Sequence, residues 1–148
     1  MAIDSGTQLV RHAHRLATLV DSSVLLDIVT EDPVWMTWSA DALANAADDG
    51  PLVINPIVYA EVSTGFDRIE DLDGAIAAGD FRREPLPYDA GFVAGKAFLT
   101  YRTRGGQKRS PLPDFYIGAH AAVRRYRLLA RDTARYRTYF PTVELIAP

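Results

Sequence analysis

The chain has no cysteine and only three histidines, His12, His14 and His120. Disulfides and thiolate metal sites are thereby excluded, and the histidines show no HExxH spacing, so a metal held here would be held by oxygen. No apolar run approaches the ~18 residues of a membrane-spanning helix. Arg11, His12, His14 and Arg15 stand where a signal peptide would carry its apolar segment. Together these absences predict a cytoplasmic protein with no membrane segment.

What is present is one core's worth of apolar sequence: 148 residues, 48% hydrophobic, enough for one domain and too little for two. Four short apolar runs read as buried strands: ATLVD (17 to 21), PLVIN (51 to 55), YRLLARD (126 to 132) and TVELIA (142 to 147). The intervening pieces read as helices at about 34 to 49, 56 to 66, 67 to 79, 89 to 103 and 114 to 126. Such alternation predicts an α/β domain over 17 to 148 with a central, mostly parallel sheet. Residues 1 to 16 fall outside the pattern and read as a loose N-terminal extension or a start-site artefact.

Charge is unevenly distributed. The net charge is −3, yet residues 102 to 137 carry ten basic residues against two acids, Asp114 and Asp132, whereas 41 to 90 carry eleven acids against three bases. A basic stretch is often only a solvated face. Here it surrounds isolated carboxylates, which suits a polyanion held against a cation site.

Asp114, in SPLPDFYIGAHAA, follows Pro113 and taken alone reads as a helix cap. Three other acids fall at equivalent places in the frame. Asp21 ends the first strand, Glu61 lies in the second turn of the helix after the second strand, and Asp132 ends RLLARD. Each has a local excuse as a cap, turn or first-turns acid. In an open parallel sheet, however, strand ends and the starts of the following helices share one edge. Four acids separated by forty, fifty-three and eighteen residues would therefore meet. Crowded carboxylates need protons or a divalent cation, and an all-oxygen site with water selects Mg²⁺ or Mn²⁺, the ions of in-line phosphoryl displacement. Ser23 in VDSS is placed to orient a ligand carboxylate, or else is a turn residue.

The segments LVDSSVLLDIV, INPIVYAEVS, LPDFYIGAHA and LLARDTARYRTYFP resemble the four acidic motifs of the PIN domain, in order and spacing, over residues 18 to 148. The compact form is similar to VapC-type toxin ribonucleases. The resemblance implies a three-layer α/β/α fold and a metal-dependent endoribonuclease, usually dimeric and paired with an antitoxin. It makes Asp21, Glu61, Asp114 and Asp132 the acidic site, with Asp21 and Asp114 the foremost metal ligands and Ser23 the accompanying hydroxyl. Arg102, Arg104, Lys108 and Arg109, in the basic loop YRTRGGQKRS before LPDF, are expected to meet RNA phosphates. An antitoxin is expected to close the acid pocket with an Arg or Lys and to lay an amphipathic helix against Trp35, Trp38 and Phe66. Asp27 in LLDI is an extra acid, read as a surface or helix-face residue.

Other chemistries fit less well. A haloacid-dehalogenase phosphatase wants a second Asp at position 23, which is Ser. RGGQKRS lacks P-loop spacing, and no GxSxG elbow accompanies His120, which reads as packing or surface. The alternative is a non-catalytic RNA-binding module on the same fold, against which the intact acids argue.

Overall fold

The computed structural model describes residues 16 to 148; apart from Leu16, the expected extension lies outside the described residues. Five strands form one parallel sheet: β1 (Thr18–Val20), β2 (Leu52–Ile54), β3 (Arg82–Arg83), β4 (Arg127–Leu129) and β5 (Leu145–Ile146), in the order β3-β2-β1-β4-β5. The central strands are short apolar runs buried on both faces, as a sheet covered by helices on each side requires. Leu19 lies beside Val53 on one neighbour and Leu128 on the other. These three, with Val20, Ile54 and Leu129, form the centre of the core, each at most 1% exposed.

Among the described residues seven helices connect the strands: α1 (Ser22–Val29), α2 (Met36–Asp49), α3 (Pro56–Val62), α4 (Ile69–Ala78), α5 (Tyr88–Thr103), α6 (Pro113–Arg124) and α7 (Ala134–Tyr139), with a 3-10 turn at Ser63–Gly65. Local chemistry sets the starts of α1 and α3. Asp21 accepts a bond from the Ser23 amide, and Asn55 accepts one from Val58 just before Pro56, which has no N–H to satisfy. α6 opens on Pro113 and ends at Arg125, whose φ of 57° is the left-handed turn that stops a helix. Phe98 and Tyr101 of α5 meet Phe115 of α6 edge-on, which packs α5 against α6.

The connections carry the chain from β1 outward to β2 and β3, then back across to β4 and β5 on the other side. The reversal point lies between β1 and β4, where the Asp21 amide bonds to the Leu129 carbonyl at 2.8 Å. Ligands of open parallel sheets bind at such a point, beyond the carboxyl ends of the strands.

Three elements have no counterpart in the sequence expectation. α1 is a helix where none was assigned, β3 is a two-residue edge strand of exposed arginines, and α7 is a short helix after Asp132. The strand expected over 126 to 132 covers only Arg127–Leu129, which leaves Arg131 and Asp132 in the loop before α7.

Candidate active site

The end of β1 places Asp21 at the reversal point, 5% exposed. Both of its carboxylate oxygens are engaged. Oδ2 accepts from the Ser23 amide at 3.0 Å and from Ser23 Oγ, and Oδ1 accepts from the Tyr136 hydroxyl at 2.6 Å. Ser23 Oγ in turn accepts from the Arg131 amide at 3.2 Å, which ties the loop after β4 to the start of α1. In the second turn of α3, Glu61 accepts from Ser22 Oγ at 3.0 Å. Asp114, in the first turn of α6, accepts from Arg135 Nη1 at 3.3 Å.

Asp114 does not cap its helix. The cap position is Leu112, with no side-chain capping bond, so the carboxylate turns to α7 instead. Asp132 does not cap α7 either, since Thr133 holds that position without a side-chain bond.

Electrostatics place Asp21, Glu61 and Asp114 in one field. Burial pushes the Glu61 carboxyl above its ordinary range, and the charges of Asp21 and Asp114 add to this against the Ser22 hydrogen bond. Burial likewise raises Asp114; Asp21 adds to the shift, Arg135 opposes it, and Asp132 contributes least. Tyr136 is pushed well up, first by burial and then by the Asp21 and Asp114 charges, so its hydroxyl stays protonated as the donor to Asp21. The fourth acid, Asp132, is exposed and peripheral, felt by Asp114 and by Arg131 as charge.

The donor set is therefore all oxygen, partly desolvated and mutually repulsive, which fits a hard divalent cation. Among the described residues, no group of three or more acids or histidines is drawn together closely enough to hold a metal ion by itself. Arg135 and Tyr136 take up part of the carboxylates' bonding capacity in this arrangement.

Asp27 is a correction to the sequence reading. It is 3% exposed and buried beneath α2, not on a surface face. Arg131 clasps it through Nε at 2.7 Å and Nη2 at 3.0 Å, Ser39 Oγ donates to it at 2.8 Å, and the Arg131 guanidinium covers the Trp35 ring. The link joins α1, α2 and the loop that carries Asp132. His120 resolves to the core: fully buried, it accepts from Asn55 Nδ2 at Nδ1 and donates to Glu84 from Nε2, each at 3.0 Å, the tautomer following from the partners. Burial lowers its pKa against the pull of Glu84, so it is neutral.

The basic segment is exposed at the end of α5 and in the following turn. Arg102 donates to the Lys108 carbonyl at 2.9 Å, folding the loop back, and Arg104 lies over the ring of Tyr139, the last residue of the helix that carries Arg135. Trp38 and Phe66 are partly buried against the core, and Trp35 meets Trp38 edge-on, which reduces the free apolar surface these three present.

Ser22, Tyr136 and Arg135 are the site residues that the sequence reading missed. Tyr136 and Arg135 lie in TARYRTYF, where a tyrosine and an arginine in consecutive positions give no signal of their destination.

Comparison with solved structures gives the same fold. A chain of the VapBC2 complex of Rickettsia felis bound to a promoter DNA fragment matches with a TM-score of 0.69 at 15% identity, covering 89% of this chain and 98% of that one. A chain of VapBC-1 from nontypeable Haemophilus influenzae matches at 0.66 and 15%, covering 88% and 97%. A chain of a toxin-antitoxin complex from Klebsiella pneumoniae matches at 0.62 and 23%, covering 85% and 94%. No curated protein matches by sequence. The PIN domain family model matches residues 18–141, from the first strand through α7, and the chain belongs to the PIN domain family.

Proposed function

We propose that this protein is a divalent-metal-dependent endoribonuclease, the toxin of a toxin-antitoxin pair, acting in the cytoplasm. The observation that carries the reading is the convergence of Asp21, Glu61 and Asp114 from three distant motifs on the reversal point of the sheet, where burial and mutual repulsion oppose the ionisation of Glu61 and Asp114. The fold by itself does not need three such acids in one place. Asp21 and Asp114 are the foremost ligands for Mg²⁺ or Mn²⁺, with Glu61 and Asp132 completing the acidic set and Ser23 orienting Asp21. Such an ion supplies Lewis acidity, lowering the pKa of water and offsetting charge at the phosphoryl centre.

The basic residues Arg102, Arg104, Lys108 and Arg109 supply a track for the RNA backbone beside the acids. The similar folds belong to VapBC and other toxin-antitoxin complexes, which supports an antitoxin as partner. Exposed Tyr88, Phe92 and Leu99 on α5 offer apolar surface for the second copy of a homodimer. Among the described residues no helix is long and apolar enough to cross a membrane.

The test is cleavage of labelled RNA with Mg²⁺, with Mn²⁺ and with chelator. Wild type is expected to cut only with the ion. Asp114→Asn, nearly isosteric but uncharged, is expected to lose at least about a hundredfold in rate while remaining folded. RNA binding with no cleavage under any of these conditions would favour the non-catalytic module instead.

A further inference from the structure

Arg135 is, among the described residues, the one cationic side chain with a hydrogen bond to the acid cluster. Arg131, four residues before it, is committed to the buried Asp27 through two nitrogens. Arg135 makes a single 3.3 Å contact to Asp114, and the two side chains are 40% and 32% exposed. A lone, half-exposed ion pair of this kind contributes little to stability and exchanges readily. The adjacent Tyr136 is 1% exposed and holds Asp21, so α7 is anchored at the site and only the Arg135 side chain has to turn. A guanidinium fork matches two phosphate oxygens better than it matches one carboxylate oxygen.

Resting on the ribonuclease reading, we propose that Arg135 is a ligand for the scissile region's phosphate, held on Asp114 until a divalent cation takes that carboxylate's charge and frees the guanidinium for RNA. Cation and Arg135 compete for Asp114, while Arg135 and the cation cooperate on the phosphodiester. The two effects predict opposite consequences of removing one side chain. Loss of Arg135 favours the cation, because a positive charge beside its ligand disappears, and disfavours RNA.

The test compares wild type, Arg135→Gln and Arg135→Lys, with melting curves to establish that each is folded. Calorimetry with Mn²⁺ and no RNA is expected to show Arg135→Gln binding the ion about three- to tenfold more tightly than wild type, and Arg135→Lys close to wild type. Anisotropy of a labelled single-stranded RNA in Ca²⁺ is expected to show binding about tenfold weaker in Arg135→Gln, with a partial loss in Arg135→Lys. In cleavage assays the KM for RNA rises in Arg135→Gln while the Mn²⁺ concentration for half-maximal rate falls. A folded Arg135→Gln with unchanged or weaker Mn²⁺ affinity overturns the competition, and unchanged RNA affinity overturns the phosphate contact. Absence of cleavage by wild type overturns the ribonuclease reading alone, because calorimetry and anisotropy read Arg135 without turnover. Absence of Mn²⁺ binding by wild type overturns both.

Discussion

A carboxylate kept half-buried beside two others is costly to ionise unless a cation sits with it, and the sign of that cost is measurable. Glu61 and Asp114 both have folded-state pKa values raised above the ordinary carboxylate range, chiefly by burial. The folded state therefore takes up protons before the unfolded chain does, and stability contributed by these groups grows as pH falls through the raised range and is lost as pH rises through it. Without divalent ion, Asp114→Asn is expected to melt at or above wild type at neutral pH, with the gap closing as pH is lowered into the carboxylate range. Adding Mg²⁺ should reverse the order, because only wild type gains an ion-linked increment. A variant that melts well below wild type at neutral pH without metal would show Asp114 to be a structural ion-pair partner instead. Asp27 belongs to the opposite case, a carboxylate whose partners are all in place. Asp27→Asn leaves Arg131 unpaired on one side while Ser39 can still donate, and it is expected to cost about 2–3 kcal/mol, discounted from a fully buried pair because Arg131 is partly exposed. A chemical-denaturation difference below about 0.5 kcal/mol would mean the clasp is dispensable. The four candidate acids could be picked out because Asp21 follows β1, Glu61 lies in the helix after β2, Asp114 opens α6 and Asp132 lies in the loop after β4, places that apolar runs and punctuation mark out. Asp27 was not, because an acid in a helix reads as solvent-facing unless its partner, 104 residues away, is known.

At the scale of elements, the order of the long helices and central strands follows from apolar runs and the punctuation between them, whereas α1, α7 and β3 are too short to declare themselves. α1 is eight residues long, too short for its one-sided apolar pattern to be told from a buried apolar run, and it turns the charged Asp27 inward beside Val24 and Leu25. β3 is two exposed arginines held by pairing with Val53 and Ile54, a strand by virtue of its neighbour alone. α7 is six residues, below the length at which an isolated helix is stable, and is held by buried Tyr136 and by Phe140 beyond its end. Gly118 explains how α6 accepts that neighbour: a Cβ there would lie 2.3 Å from the Phe140 ring. The basic segment at the end of α5 is an element whose role is electrostatic, and its prediction is one of salt dependence. Neutralising Arg102, Arg104, Lys108 and Arg109 together is expected to weaken RNA binding regardless of sequence. It should also flatten the logarithmic salt slope by about 0.7 for each RNA phosphate that is no longer neutralised. Arg102 and Arg104 also have protein partners within the loop and at Tyr139, so melting curves must accompany the measurement. An unchanged slope in the folded quadruple variant would move the RNA path to another face.

For the whole molecule, the reversal of the sheet between β1 and β4 decides which residues meet, and it delivers a cluster whose net charge is negative whenever no cation is bound. Such a pocket attracts any cationic side chain able to enter it, as Arg135 already does from within the chain. An antitoxin that silences the protein would have to offer an Arg or Lys to the same carboxylates and an apolar helix to the surface near Trp35, Trp38 and Phe66. Trp38 and Phe66 are partly buried in the chain, so a partner that docked there would gain less from apolar contact than full exposure of these rings would give. On the proposed function, inducing this protein alone is expected to stop growth, Asp21→Ala to relieve the arrest at matched expression, and co-expression of a small antitoxin encoded next to it to suppress the arrest by direct binding. Asp21 is the informative position because it stands at the centre of the site, held by Ser23 and Tyr136, so its loss removes a charge there while the apolar surface near Trp35, Trp38 and Phe66 is unchanged. Asp21→Ala should accordingly still bind the antitoxin through the apolar contacts, with affinity reduced by the missing charge. Equal toxicity of wild type and Asp21→Ala would sink the nuclease-toxin reading. Relief of toxicity with no suppressing neighbour would remove the pairing and leave the enzyme in place.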